Sequence, residues 1–468
     1  MTSVLGQAKR IHFIGIGGIG MSGIAELLLN LGYDVSGSDM HKSDITDRLE
    51  SLGAKIAEGH DAAHVGRAEV VVFSSAVRPN NPEMVAAHSL GLTVVPRADL
   101  LAELMELRQG IAVAGAHGKT TTTSMIALVL DAAGLDPTAV IGGRVSSFGS
   151  NARLGCGKYL VAEADESDRS FLRLSPRFVV ITNIDREHLE AYRDFEDLQS
   201  SFVEFANRVP SNGGIVILCA DDLHLQRLKS SIRRPIVTYG FDPAADIGAV
   251  DVRLHGLGST SRVVVRRTGG KVTDLGELVL QVPGNHNVVN ALAAVAIGRE
   301  LGIGWSHISE ALANFRGAER RFQIRGESGG VVVVEDYGHH PTEIAAVIAA
   351  ARPSTRGRVL VAFQPHRFSR TQFLMNEFGR ALNGVDAVVL TDIYPAGEDP
   401  IAGVTLETLV SRIRDEYHGD LEAVASLDDV PAAIARKARS GDLILLLGAG
   451  SIGSIWPDVL SELERSGN

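Results

Sequence analysis

Residues 111–125, IAVAGAHGKTTTTSM, restrict the folding of this 468-residue chain more than any other stretch. A short apolar run, a glycine turn and then Lys-Thr at the head of a helical stretch predict a strand, a tight loop and a helix. Glycines at Gly115 and Gly118 let backbone amides curl around an anion, and the positive end of the following helix adds to the attraction. Lys119 supplies a point charge for terminal phosphates, and Thr120 places a hydroxyl where a phosphate-bound Mg²⁺ needs a ligand. The pattern is the shortened form GxxGKT: five residues before Gly118 the common phosphate-loop motif has glycine, and this chain has Val113. A plain glycine turn joining strand to helix is the competing reading. The working expectation is a nucleotide site.

Length alone suggests about three domains, each large enough for its own core. A net charge of -11 and the lack of a long basic run argue against nucleic acid or an anionic membrane as partner, while anionic small molecules stay open. The two cysteines, Cys156 and Cys219, fit no metal-ligand spacing and no disulfide framework, which suits a reducing compartment. The first residues, MTSVLGQAKR, do not read as a signal peptide, and no apolar run reaches the roughly 18 to 20 residues that cross a bilayer. A soluble cytoplasmic protein is expected, monomer or homodimer.

Residues 10–39, RIHFIGIGGIGMSGIAELLLNLGYDVSGSD, predict a strand, a glycine turn, an amphipathic helix and a second strand. Gly15, Gly17 and Gly20 satisfy the dinucleotide fingerprint, and Asp39 sits where an acid can hold a ribose hydroxyl. Three readings stay open here: a nicotinamide or flavin dinucleotide, another nucleotide diphosphate, or a turn without a ligand. A helix N-terminus recognises pyrophosphate and not nicotinamide. Ser74 and Ser75 end the strand in AEVVVFSSAVRP, at an edge where parallel sheets collect ligands. His60 and Arg97 fall at loop positions, where an ordinary surface residue is favoured over a ligand contact. The first boundary is placed near Arg108.

KYLVAEADESD ends a strand in acid, with Glu163, Asp165, Glu166 and Asp168 close together. Carboxylates there suit Mg²⁺, which prefers oxygen ligands. The next apolar run, RFVVITNIDREHLEAY, also ends polar, at Asn183, Asp185 and His188. A solvated acidic loop and a plain loop histidine are the competing readings; two adjacent strand ends carrying metal-compatible groups beside a phosphate loop favour a metal. Between residues 209 and 282 short β runs carry no legible chemistry. Then Gly284, Asn285 and His286 precede a helix that carries Asn287 and Asn290; Asn amides match an adenine edge, with helix capping as the competing reading, above all at Asn285. A positive connector, FRGAERRFQIRG, places the second boundary near Arg320. Beyond it α/β alternation resumes, with polar turns at DYGHHP and HRFSR. Asp336, His339 and His340 lack the partners of a metal set, and GAGSIG near the end reads as a structural turn.

In order and number, GIGGIGMSGIAELL with GSD, GAHGKTTTTSM, EADESD, TNIDREHLE, GNHNVVNALAA, DYGHHPTE and HRFSRT resemble the Mur ligases of bacterial cell-wall synthesis over nearly the whole chain. The resemblance implies an α/β fold of three domains. These are a Rossmann-like UDP-sugar domain at 1–107, a central ATP-binding domain of P-loop type at 108–320, and a Rossmann-like C-terminal domain at 321–468 that presents the amino acid. It assigns the first glycine loop to UDP. The implied activity, with ATP and Mg²⁺, joins L-alanine to the lactyl carboxylate of UDP-N-acetylmuramate through an acyl phosphate. A recycling ligase that adds a tripeptide is the alternative within the family; an NAD(P)-dependent oxidoreductase or a non-catalytic nucleotide sensor are alternatives outside it.

By this resemblance Gly15, Gly17, Gly18, Ile19, Gly20, Met21, Ser38, Asp39, Ser74 and Ser75 would hold the UDP-sugar. Gly115, Ala116, His117, Gly118, Lys119, Thr120, Thr121, Asn285, His286, Asn290, Arg320 and Asp336 would hold ATP. Thr120, Glu163 and His188 would hold Mg²⁺, with Lys119, Glu163 and His188 as the catalytic set. Tyr337, His339, His366, Arg367 and Arg370 would surround the alanine. Where the family often carries a carbamoylated lysine, this chain has no lysine between Lys158 and Lys229, which resembles the alanine-adding branch.

Overall fold

The structure, a computed structural model, describes residues 5–465 apart from 7, 75, 146–149 and 267–270, so Ser75 lies outside the described residues. The first sheet contains β1 (Arg10–Ile14), β2 (Asp34–Asp39), β3 (Lys55–Glu58), β4 (Val70–Phe73) and β5 (Thr93–Pro96). All pair parallel, in the order β3-β2-β1-β4-β5. The helix Ile19–Asn30 joins β1 to β2, burying Ile24, Leu27 and Leu28. The chain then turns at Gly32, whose φ of 88° is a left-handed conformation that glycine adopts without a Cβ penalty. The strand order reverses between β1 and β4. At such a reversal the loops diverge beyond the strand ends and leave a crevice; the glycine loop after β1 and Ser74 after β4 border it.

The second sheet holds β6 (Gln109–Ala114), β7 (Thr138–Val145), β8 (Ser150–Arg153), β9 (Tyr159–Glu163), β10 (Phe178–Ile181), β11 (Ile215–Cys219) and β12 (Ile236–Gly240). Their order is β12-β11-β10-β6-β9-β7-β8, and β13 (Ile247–His255), β14 (Gly258–Arg266) and β15 (Val272–Leu280) extend the sheet to ten strands. The strands β6, β9 and β10 are apolar on both faces, as parallel strands covered on two sides must be. The two polar strand ends expected to be adjacent are separated by one strand: β6 lies between β9 and β10. The phosphate loop thus leaves the sheet with an acidic strand end on each side.

The third sheet consists of β16 (Gln323–Ser328), β17 (Val331–Asp336), β18 (Val359–Phe363), β19 (Ala387–Thr391), β20 (Asp420–Val424) and β21 (Leu443–Leu447). The order is β16-β17-β21-β18-β19-β20, with only the β16–β17 pair antiparallel among the described pairs. Fully buried residues cover both of its faces, Phe363, Phe378 and Leu445 on one and Leu360, Val389 and Ile444 on the other. Packing divides the chain into two compact units: residues 1–250, 262–278 and 289–315, and residues 251–261, 279–288 and 316–468. No helix among the described residues is long and apolar enough to cross a membrane.

Candidate active site

The phosphate loop takes the shape its glycines allow. Gly115 and Gly118 have φ of 133° and 81°, and Gly118 precedes the helix Lys119–Ala132, whose first turn has no side-chain cap. Its first amides are therefore presented to an anion. The neighbouring strand end fixes the loop. Asn183 Oδ1 accepts from the His117 amide at 2.8 Å, and Asn183 Nδ2 donates to the His117 carbonyl at 3.0 Å. Thr182 Oγ donates to the same carbonyl at 2.6 Å, and His117 Nε2 donates to Asp185 at 3.0 Å. Asn183 and Asp185, expected as metal-compatible groups, grip the loop. Asn290 lies against it, since a Cβ on Gly118 would come 2.7 Å from its Oδ1.

Lys119 folds back over the loop, donating to the Gly115 carbonyl at 2.6 Å and to Glu166 Oε1 at 2.8 Å. The Glu166 side chain is 3% exposed, and its Oε2 has no hydrogen-bond partner. Burial would strip the Lys119 proton, but Glu166 and Asp165 outweigh it and keep the ammonium charged. At the end of β9 itself, Glu163 accepts from the Thr120 hydroxyl at 3.2 Å and from the Gly142 amide at 2.5 Å. His188 holds a left-handed φ of 55° with Nδ1 3.7 Å from Glu190 and Nε2 4.0 Å from Glu187. Burial lowers its pKa; Glu190, Glu187 and Glu166 together raise it further than that. The Thr120–Glu163 pair offers oxygen donors of the kind Mg²⁺ prefers, and Glu166 Oε2, beside Lys119, is a further carboxylate oxygen without a partner.

At the first glycine loop, Gly15 and Ile16 donate to the Ser38 carbonyl at 2.8 and 2.9 Å, and Gly17 donates to Asp39 Oδ2 at 2.8 Å. The Asp39 carboxylate, at the position expected for a ribose contact, thus holds the Gly17 amide of the loop. Gly18 precedes the helix, Ile19 is exposed and Met21 is buried in the core. Ser38 is fully buried and donates to Glu83 Oε2 at 2.8 Å; His12 and His60 donate to the same carboxylate at 2.6 and 2.8 Å. Burial favours protonation of Glu83, but the bonds from His12, Ser38 and His60 outweigh it and hold the group below its ordinary value. His60 is thus no ordinary surface residue. Because Asp39 fixes an amide of the loop, Asp39→Ala should raise KM for a nucleotide bound there at least about tenfold, leaving that for a nucleotide at Lys119 nearly unchanged. Equal changes in both KM values would show that the two loops do not bind separate nucleotides.

In the other compact unit, four rings form a column. Tyr337 meets His339 edge-on at 5.4 Å, His339 lies 5.6 Å from His366, and His366 stacks on Tyr394 at 5.5 Å. Arg370 Nη1 donates to His366 Nδ1 at 3.1 Å, and Arg367 has a left-handed φ of 72° at the head of the helix Phe368–Ala381. Arg320 is less available than expected: its Nε donates to Glu335 at 2.6 Å and its Nη2 to the carbonyls of Gly448 and Gly450 at 3.0 Å. These bonds tie down the GAGSIG turn, which is structural. Asp336 accepts from the amides of Phe322 and Gly338, each at 2.7 Å, and burial pushes its pKa to about 6. Asn285 is exposed and is the first helical residue, not a cap. His286 stands next to it.

Desolvation depresses His366 to about 3, helped by His339, Arg370 and Arg367, and depresses His286 to about 4, helped by Arg321. An unfolded histidine takes a proton below about 6.5, so between these values the unfolded chain binds more protons than the folded one. Stability should therefore be full above about pH 6.5 and fall as the pH drops toward 4. The thermal midpoint should drop between pH 7 and 5, and His366→Asn should flatten that slope. Identical slopes would contradict the neutral His366.

Three family models cover the chain: the "Mur ligase family, catalytic domain" over residues 10–109, the "Mur ligase middle domain" over 113–298, and the "Mur ligase, glutamate ligase domain" over 320–450. The chain belongs to the Mur ligase family. A UDP-N-acetylmuramate--L-alanine ligase of Geobacter sp. (strain M21) is 51% identical over 98% of this chain and 99% of its own, and one of Myxococcus xanthus is 50% identical over 98% and 96%. The crystal structure of a UDP-N-acetylmuramate-alanine ligase from Thermotoga maritima superposes with a TM-score of 0.81 at 30% identity, covering 98% of this chain and 99% of that one. A murein peptide ligase from Psychrobacter arcticus gives 0.73 at 25% identity with the same coverage.

Several functional groups of this Mur ligase carried no sequence signal of their role. Glu166 stood in an acidic run without a distinguishing mark, although only it reaches Lys119 among the described acids. The Asn183 clamp and the Glu83 carboxylate arise from strand order and helix docking. The column Tyr337–His339–His366 assembles from two turns, and Tyr394 joins it through two backbone bonds, Tyr394 N to the Pro365 carbonyl and Arg367 N to the Tyr394 carbonyl, each 2.8 Å. Arg97, read as a surface residue, forms an ion pair with Asp165.

Proposed function

We propose that this Mur ligase joins L-alanine to the lactyl carboxylate of UDP-N-acetylmuramate at the expense of ATP. The observation that carries this is near-half identity, over 98% of the chain, to proteins named for that reaction. The recycling ligase is a more distant neighbour, at 25% identity. The phosphate loop, with Lys119 between two acidic strand ends, argues for ATP chemistry and against an oxidoreductase. The UDP-sugar is assigned to the first sheet, ATP to the second and the amino acid to the third, with boundaries near Arg108 and Arg320.

Forming an amide from a carboxylate in water is uphill, so the carboxylate is first activated. The lactyl carboxylate attacks the γ-phosphorus of ATP, ADP departs, and an acyl phosphate results. Lys119 neutralises charge on the transferring phosphoryl oxygens, and the loop amides held in place by Asn183 and Thr182 position them. Thr120 and Glu163, with His188 nearby, would hold Mg²⁺, which when bound supplies further neutralisation of phosphate charge. Arg367 and Arg370 aim the alanine by its carboxylate while Tyr337, His339 and His366 wall the pocket. The amine attacks the acyl carbon, and the tetrahedral intermediate expels phosphate. No side chain acts as nucleophile. Phosphate release should require ATP, UDP-N-acetylmuramate and free L-alanine together. Release with tripeptide in place of alanine would move the chain to the recycling branch, and release without any amino substrate would overturn the ligase reading.

A further inference from the structure

Arg97 opens the helix Arg97–Glu106 directly after β5, on the sheet edge that also carries the glycine loop. Its side chain is 22% exposed and packs on the first turn of the helix Ile19–Asn30, where a Cβ on Gly20 would overlap the guanidinium. A side chain at position 20 would have to displace the Arg97 guanidinium from this place. A cation set against a helix N-terminus is electrostatically misplaced, because that end is already positive. Here Asp165 offsets it: Arg97 Nη2 donates to Asp165 Oδ2 at 3.3 Å. Burial would raise the Asp165 pKa, but Lys119 and Arg97 outweigh it and keep the group ionised. Asp165 also lies next to Glu166, the partner of Lys119, so one short acidic segment faces both nucleotide loops.

We propose that Arg97 is shared between Asp165 and the diphosphate of the UDP-sugar, so that Asp165 competes with this substrate for the guanidinium. The inference rests on the reading of the glycine loop as the UDP-sugar site. A planar guanidinium matches two phosphate oxygens and is better placed on a dianion at a helix N-terminus than on a single carboxylate. Substrate entry would then free Asp165 beside the Lys119–Glu166 pair, linking occupancy of the first loop to the charge around the second.

The test is calorimetric binding of UDP-N-acetylmuramate to the full-length protein without ATP or alanine, with thermal midpoints confirming that each variant is folded. Arg97→Met should weaken binding at least about tenfold, and Arg97→Lys should fall between it and the unaltered protein. Asp165→Asn should tighten binding, about threefold or more, by removing the competitor. In the double variant the Asp165→Asn gain should vanish, leaving the affinity of Arg97→Met alone. Weakened or unchanged binding in Asp165→Asn overturns the competition, as does unchanged binding in either Arg97 variant. Absence of binding by the unaltered protein overturns the UDP-sugar reading itself, and this inference with it.

Discussion

Lys119→Ala is expected to lower turnover at least about 10³-fold, because the lost charge acts on the phosphoryl group as it transfers, where preorganised electrostatics are worth most. The structure adds a condition that the motif does not contain. Lys119 pairs with Glu166, which is buried, and removing one member of a buried pair leaves an uncompensated charge that costs about 3–5 kcal/mol. Desolvation already raises the Glu166 pKa, so uptake of a proton should absorb part of this cost. The variant should therefore be made with and without Glu166→Gln. If Lys119 acts on phosphate, the double variant regains thermal stability but not turnover. Turnover restored along with stability would reduce Lys119 to a structural role.

Arg370→Ala is expected to block amide formation far more than acyl-phosphate formation, with an effect of at least about 10²-fold on product and little on the first half-reaction. Its guanidinium is held by His366 Nδ1 and by the His366 carbonyl at 3.2 Å, so its fork is aimed before any ligand arrives. His366 stays neutral and accepts that bond at physiological pH. Lysine cannot reproduce a planar fork, and Arg370→Lys should recover little. With ATP and UDP-N-acetylmuramate but no alanine, the variant should still exchange isotope between bridging and non-bridging oxygens of ATP. Loss of exchange together with product, or an unchanged KM for alanine, would remove Arg370 from the amino-acid pocket. Arg367→Ala should behave alike, with an added loss of stability of about 1 kcal/mol or less, since alanine tolerates the left-handed φ no better than arginine and only packing is lost.

What the sequence by itself determined here is local. The glycines at 15, 32, 115 and 118 allow left-handed turns, apolar runs between them make buried strands, and Lys119-Thr120 follows Gly118 at a spacing set by the helix start. These depend on neighbours a few residues away, so the α/β alternation and both anion loops were legible along the chain. Partner choice was not. That β6 lies between β9 and β10 puts Asn183 on one flank of the phosphate loop and the acidic end of β9 on the other, where Glu166 and not Glu163 pairs with Lys119. The same holds for Ser38, His12 and His60 meeting on Glu83, for Arg320 committed to Glu335 and the Gly448 turn, and for Arg97 reaching Asp165. Hydrophobic periodicity fixes which face of a strand is buried but leaves its neighbour in the sheet unspecified. Only the packed sheets bring residues dozens of positions apart within hydrogen-bonding distance, where burial makes the pairing obligatory.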